Sequence, residues 1–269
     1  MSANLFNVED TIILVSGGSR GIGFAMAEAF AEQGAQVIIT GRNEDALIEA
    51  CESSENFRYP ITYRICDVAS EAVINACVED VVAEHGRIDT LINSAGINKR
   101  MPAVEYTADE FDQIMHINLR GAFLMSQAVG KVMIKQGSGN QINIDSLSTH
   151  MPLTQILPYA MSKAGLSNMT RGLALEWGKH GVRVNAIAPG FILTDLTQKM
   201  WANENMLAWH KVTTPLERMG QVDDLVGTAI FLASAGSAFI TGQIIRVDGG
   251  ATAGTHWPIA GNFDVTHNT

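Results

Sequence analysis

The feature that most constrains this chain is a glycine cluster set between a β-branched run and a helical repeat. Ile12–Ser16 reads IILVS and runs into SGGSRGIG. Ala25, Ala29 and Phe30 then recur on one face of a predicted helix over 23–34, which Gly34 stops. The same alternation continues along the chain. Strands are predicted at 37–40, 63–67, 90–93, 141–145, 183–188 and 243–247, and helices at 43–52, 73–85, 111–135, 159–180 and 222–233. Strands that alternate with helices are satisfied by a parallel sheet covered on both faces. With no Pro/Gly/Ser linker, charge block or internal repeat, residues 1–269 read as one α/β domain, a Rossmann-type doubly wound sheet.

Composition removes several classes of function. Hydrophobic residues make up 46% of the 269 and charged residues 17%, enough apolar material for a core. A net charge of −10 argues against a nucleic-acid surface, so any anionic ligand must be held by local groups. Cys51, Cys66 and Cys77 are odd in number and lack CxxC spacing, which points to a reducing compartment without disulfides. The first apolar run has no basic residues before it and is too short for a signal or a membrane span, so a cytoplasmic protein is expected. No HExxH or His/Asp cluster suggests a metal.

Gly17-x-x-x-Gly21-x-Gly23 between strand and helix allows a tight turn, close backbone approach to a pyrophosphate, and helix packing. The helix N-terminus adds attraction for the negative charge. A dinucleotide site that takes NAD usually has Asp or Glu after the second strand, for the ribose 2′-OH. Here Thr40-Gly41-Arg42-Asn43 holds no carboxylate, and Arg20 sits inside the glycine loop. Two guanidinium groups suit charge-assisted binding of a 2′-phosphate, so NADP(H) is the expected cofactor. Asp67-Val68 and Asn93-Ser94-Ala95-Gly96 follow the third and fourth strands, at the sheet edge where open α/β proteins bind ligands.

The stretch from Ser146 to Lys163 holds a serine, then Tyr159, then Lys163 one helical turn on. Pro158 favours a helix start, which puts Tyr159 and Lys163 on one face. Moving a phenol from about 10 to about 7 takes about 4 kcal/mol. One cation ~4 Å away supplies that at an effective dielectric of about 20. Ser146 offers a hydroxyl to a carbonyl oxygen.

In family order, SGGSRGIG, Asp67-Val68, NSAG, Asn118 in HINLRGAF, Ser146, YAMSK and Pro189-Gly190 resemble the short-chain dehydrogenase/reductase family. The resemblance spans Thr11 to Gly250 and implies hydride transfer between a nicotinamide and a carbonyl or alcohol carbon. It implies that Tyr159 is the general acid or base, that Lys163 lowers its pKa and binds the nicotinamide ribose, and that Ser146 holds the substrate oxygen. Asn118 would hold a water linking Lys163 to solvent. Gly17, Ser19, Arg20, Gly21, Ile22 and Gly23 would cradle the cofactor. Arg42, Asn43, Asp67, Val68, Asn93, Ala95, Gly96, Pro189 and Gly190 would line it, and Ile192 and Thr194 would meet the carboxamide. The family implies a homotetramer. Two departures stand out. Ser94 replaces an asparagine that ties strands together, and Asp145 precedes Ser146 where small residues are common; strand alternation is expected to turn Asp145 away from the site.

GINKRMP resembles the corresponding run in gluconate 5-dehydrogenase-type members, where an arginine meets a sugar-acid carboxylate. A sugar, sugar acid or polyol is therefore expected, with Arg100 as anion contact and Ser148 and His150 beside it; Lys99 and Arg100 equally suit an exposed loop or subunit contact. A 3-oxoacyl-thioester reductase is the alternative within the family. A non-catalytic nucleotide sensor would need neither Tyr159 nor Lys163, and a methyltransferase would want an acidic ribose contact after the second strand. Residues 194–214 carry Trp201 and Trp209 eight apart, near one helical face, and read as a substrate lid or a packed surface helix. The tail over 251–269 holds His256-Trp257-Pro258 and would cap a neighbouring subunit's pocket.

Overall fold

A computed structural model describes residues 4–194 and 197–254. The chain runs β1 (Ile12–Ser16), α1 (Gly21–Glu32), β2 (Gln36–Gly41), α2 (Glu44–Glu52), β3 (Thr62–Ile65), α3 (Glu71–His85) and β4 (Thr90–Asn93). It continues with α4 (Ala108–Met115), α5 (Ala122–Gln136), β5 (Gly139–Ile144), α6 (Leu157–Trp177) and β6 (Val182–Pro189). The last elements are α7 (Gln198–Trp201), α8 (Glu204–Thr213), α9 (Asp223–Ala233) and β7 (Ile244–Val247). Seven parallel strands lie in the order β3-β2-β1-β4-β5-β6-β7, a doubly wound Rossmann-type sheet. The order reverses between β1 and β4, and the crevice at that reversal opens at the carboxyl ends of the strands.

Strand alternation divides β1 between two cores. Ile13 and Val15 pack with Met26 and Phe30 of α1 and with Leu225 and Leu232 of α9. Ile12 and Leu14 point the other way, to Val81 of α3, Met125 and Val129 of α5, and Val184 of β6. Each such fully buried aliphatic side chain contributes roughly 1.5–3 kcal/mol. The sheet is thereby held rigidly from both faces, and its strand ends become fixed points for the loops.

Three expectations change. The long helix predicted over 111–135 is two helices joined by a π-helical stretch, His116–Gly121, because Asn118 turns inward to bond the loop after β4. Pro158 occupies the first turn of α6, which begins one residue earlier, at Leu157. Trp201 and Trp209 lie on separate helices, α7 and α8, since the chain breaks at Ala202 and Asn203, where Asn203 caps α8. Both indoles nonetheless pack edge-on against Phe191, with centroids 5.5 and 5.3 Å away. His256, Trp257 and Pro258 lie outside the described residues.

Candidate active site

The glycine turn is built by strain that only glycine tolerates. Gly17 has φ +77°, and a Cβ there would sit 2.5 Å from the Ala95 backbone nitrogen. At Gly23 a Cβ would lie 2.2 Å from the Gly17 carbonyl oxygen, so this glycine serves the packing of α1 against the turn. The N–H groups of Gly17 and Gly18 donate to the Thr40 carbonyl at 2.9 and 3.1 Å, locking the turn to β2. No side chain caps the N-terminus of α1, and no carboxylate lies in its first turn. The backbone donors there are open to an anion.

A cleft of about 410 Å³ runs from this turn along the strand ends. It brings together Gly17, Ser19, Arg20, Gly21, Ile22, Arg42, Asn43, Asp67, Val68, Ala95, Gly96 and Thr194 of the residues expected from sequence. Arg20 and Arg42 are exposed, and among the described residues neither forms an ion pair with a carboxylate. Two uncommitted cations, open helix-end donors and a glycine floor fit a phosphorylated dinucleotide.

Several of the expected residues are committed to the fold. Asn93 is a correction: its amide is buried, donating to Ser126 Oγ and Asn143 Oδ1 at 2.9 Å each, so it ties β4 to β5 and α5. The inter-strand tie questioned by Ser94 is thus supplied by its neighbour. Asn43 lines the cleft, but its Oδ1 also caps α2 by accepting from the Ala46 N–H at 3.1 Å. Asp67 Oδ1 accepts from the Ala69 N–H at 3.0 Å, which shapes the turn after β3. Pro189 ends β6; Gly190 packs against Asp248, and Ile192 is buried, pairing with Gly220. These last three are not on the wall of the cleft; Gly190 and Ile192 line a separate cavity with Phe191 and His210.

Ser146, Tyr159 and Lys163 are not on the wall of the cleft; Lys163 lies behind two residues that are, Ile144 and Gly96. Lys163 is 5% exposed; its Nζ donates to the Ile144 carbonyl at 2.6 Å and lies 5.6 Å from the Tyr159 ring centre. A Cβ on Gly96, in the cleft wall, would be 3.9 Å from that ammonium and 3.4 Å from Asn118 Oδ1. Burial lowers the Lys163 pKa to about 8, and Asp145 partly restores it. Burial raises Tyr159, the Ser146 hydroxyl and Arg100 pull it down, and Asp145 pushes it up. The net direction is opposite to that expected from the Tyr–Lys spacing, because desolvation disfavours the phenolate and the ammonium's hydrogen bond goes to a carbonyl.

Ser146 Oγ accepts from the Ser148 N–H at 3.1 Å and from Ser148 Oγ at 2.9 Å. A hydroxyl has two lone pairs, so its own hydrogen is left to point elsewhere. The Ser146 hydroxyl lies close enough to the phenol to pull the Tyr159 pKa down. Asn118 accepts from the Ile97 N–H at 2.8 Å and donates to the Ile97 carbonyl at 2.9 Å and to Ser162 Oγ at 3.1 Å. All its side-chain atoms are engaged in pinning the loop after β4 to α6, beside Lys163.

Arg100 is exposed, and its field reaches Tyr159. Lys99 pairs with Glu110, which favours an outward, structural role for that cation. His150 is exposed and closes the turn after Ser146 through its backbone N–H, at 2.9 Å from the Leu147 carbonyl. Sequence reasoning missed Tyr106 and Gln155. The Tyr106 hydroxyl donates to the carbonyls of Lys99 and Gln155, and the Gln155 carbonyl also accepts from Met101 N–H at 3.0 Å. Gln155 has φ +66°, a conformation that its side chain does not signal.

The family profile described as enoyl-(acyl carrier protein) reductase matches residues 17–252. The chain is a short-chain dehydrogenase/reductase. Like other members, it is an oxidoreductase that works with a nicotinamide cofactor on CH–OH or C=O groups. Gluconate 5-dehydrogenase of Gluconobacter oxydans is 37% identical over 249 residues, 93% of this chain and 97% of that one. A 3-oxoacyl-[acyl-carrier-protein] reductase of Chlamydia trachomatis is 38% identical over 238 residues, 88% and 95% respectively. The crystal structure of a gluconate 5-dehydrogenase from Burkholderia cenocepacia, in complex with NADP and tartrate, matches with a TM-score of 0.88 and 36% identity. That match covers 94% of this short-chain dehydrogenase/reductase and 99% of the other chain.

Among the described residues no group of three or more His, Cys, Asp or Glu gathers to hold a metal ion. No helix among them is long and apolar enough to cross a membrane.

Proposed function

We propose that this protein is an NADP(H)-dependent oxidoreductase of a sugar, sugar acid or polyol, with Tyr159 as the proton-transferring group. The observation that carries the reading is the convergence of Ser146, Tyr159 and Lys163 behind Ile144 and Gly96, two residues that line the glycine cleft. When bound, the cofactor supplies or accepts the hydride. Arg20 and Arg42 would hold its 2′-phosphate, and the α1 N-terminus its pyrophosphate.

In the reductive direction Tyr159 gives its hydroxyl proton to the carbonyl oxygen as negative charge develops there. Its raised pKa keeps it in the protonated form that a donor requires. Ser146, its lone pairs taken by Ser148, directs its hydrogen at the same oxygen. Lys163 holds a positive charge beneath the phenol and offers further donors to ligand hydroxyls. Asn118 braces this floor through Ser162. Arg100, beside Tyr159, would meet a substrate carboxylate, with Ser148 and His150 nearby. The NADP and tartrate named with the Burkholderia structure support both the cofactor and an acidic, hydroxylated ligand.

The 38% identity to a 3-oxoacyl-thioester reductase keeps a second reading of the substrate open. A screen of NADPH oxidation over keto-sugar acids, keto-sugars, diketones and acyl thioesters separates them. Fastest turnover on keto-sugar acids is expected. Turnover confined to acyl thioesters would contradict the sugar-acid assignment.

A further inference from the structure

Asp145 is a carboxylate only 2% exposed, and the chemistry above does not use it. An isolated charge is not tolerated at such a place. Here each oxygen is satisfied: Oδ1 accepts from Thr149 Oγ1 at 2.8 Å, and Oδ2 accepts from Ser167 Oγ. Ser167 lies on α6 one turn beyond Lys163, so the two share a helix face. Thr149 ends the short turn that follows Ser146. The neighbours of Asp145 on both sides touch the site. The Ile144 carbonyl holds the Lys163 ammonium, and Ser146 carries the hydroxyl nearest the phenol. The Asp145 N–H itself donates to Ile187 of β6 at 2.7 Å, fixing the strand end from behind.

We propose that Asp145 is a positioning residue for Ser146, Tyr159 and Lys163, tying β5 to α6 through Ser167 and Thr149 and placing a negative charge beside the lysine and the tyrosine. The inference rests on the reading of those three residues as the proton-transfer group. The sequence expectation that Asp145 turns away from the site holds only for the cleft. Its side chain leaves the cleft but runs to the helix that carries Tyr159 and Lys163.

The groups that feel this charge are few. On α6 they are Lys163 and Tyr159, both of which the carboxylate pushes up. Arg100, from the loop after β4, acts on Tyr159 in the opposite sense. β6 offers a backbone carbonyl, and α9, which also packs on β5, keeps Asp223 and Asp224 at its exposed start. Burial raises the carboxyl of Asp145 itself, while Ser167, Thr149 and Lys163 favour its charged form.

Two variants separate charge from tie. Thr149 and Ser167 are hydroxyl rotors that donate or accept, so Asp145→Asn keeps both bonds and removes the charge. Ser167→Ala keeps the carboxylate and removes one bond. Lys163 is followed in the cofactor-free protein by 13C NMR of labelled lysine, its signal assigned with Lys163→Arg, and kcat is measured against pH in parallel. Asp145→Asn is expected to lower both the Lys163 titration and the kcat limb by about one pH unit. Cofactor KM should stay within about twofold, since no phosphate contact is touched. Ser167→Ala should shift both in the same direction by less, with kcat reduced a few-fold for one lost hydrogen bond. Unmoved titration and unmoved limb would overturn the proposal, and Ser167→Ala decides by the same two readouts if Asp145→Asn does not fold. Tyr159→Phe is run alongside. Retained turnover in that variant contradicts the site reading itself. Lost turnover there, with Asp145→Asn unshifted, contradicts only the role of Asp145.

Discussion

A buried lysine with a pKa of about 8 is an unstable way to build a helix face, and Lys163 shows what the site costs the fold. The folded protein binds this proton less tightly than the unfolded chain does, since the ordinary value is 10.5. Between those two values the unfolded state carries more protons, so stability rises with pH across that window. Below pH 8 both states are charged and the burial penalty is fully present. Lys163→Met should therefore lose turnover yet gain about 1–3 kcal/mol at pH 7, net of the Ile144 carbonyl left without its donor. Chemical unfolding at pH 7 and pH 10 checks this: the gain should shrink at the higher pH. Arg42 gives a second residue-scale test. If it holds a 2′-phosphate, Arg42→Ala should raise the KM for NADPH roughly 10–100-fold. The KM for NADH should barely move. An equal loss with both cofactors would contradict the phosphate assignment.

At the scale of elements, α7 and α8 are held by one ring. Phe191, directly after Gly190, sits edge-on to Trp201, Trp209 and His210, at 5.3–5.5 Å. Phe191→Ala should loosen α7 and α8 together, costing about 2–4 kcal/mol locally. The expected signs are faster proteolysis within 198–213 and a several-fold higher substrate KM, with cofactor binding retained. How much of this was legible in sequence depends on the range of the interaction. The strand–helix alternation and the glycine turn are local, and β4 falls on its predicted residues, Thr90–Asn93. The π-helical stretch was not legible, because it is set by Asn118 reaching across to Ile97 and Ser162, far along the chain. The separation of Trp201 from Trp209 was missed since Asn203 caps a new helix within an otherwise helical spacing. The Tyr–Lys spacing put the two side chains on one helix face but gave the wrong direction for the phenol's pKa. Desolvation and the neighbouring carboxylate are tertiary facts that an i, i+4 pattern does not contain. Asp145 is unusual in the sequence, but its bond to Ser167 depends on α6 packing on β6 beside it.

For the whole molecule, α5 and α6 leave apolar side chains in water that the monomer does not cover. Phe123 is 40% exposed, Met161 45% and Leu175 86%. Exposed apolar residues on two adjacent helices support the proposal of a homotetramer. Sedimentation velocity should give a mass near four chains of 29.0 kDa, and a monomer at micromolar concentration would contradict it. The sheet fixes the cleft at its reversal point, the glycine turn and two arginines supply its charge, and α6 carries Tyr159 and Lys163 behind Ile144 and Gly96 of its wall. All of these converge on one phenolic hydroxyl. The most direct test is therefore Tyr159→Phe, measured as single-turnover NADPH oxidation with the best substrate of the carbonyl screen, beside fluorescence titration of NADPH binding. The account predicts wild-type NADPH affinity with hydride transfer slowed about 10²–10⁴-fold. Turnover within a few-fold of wild type would contradict it.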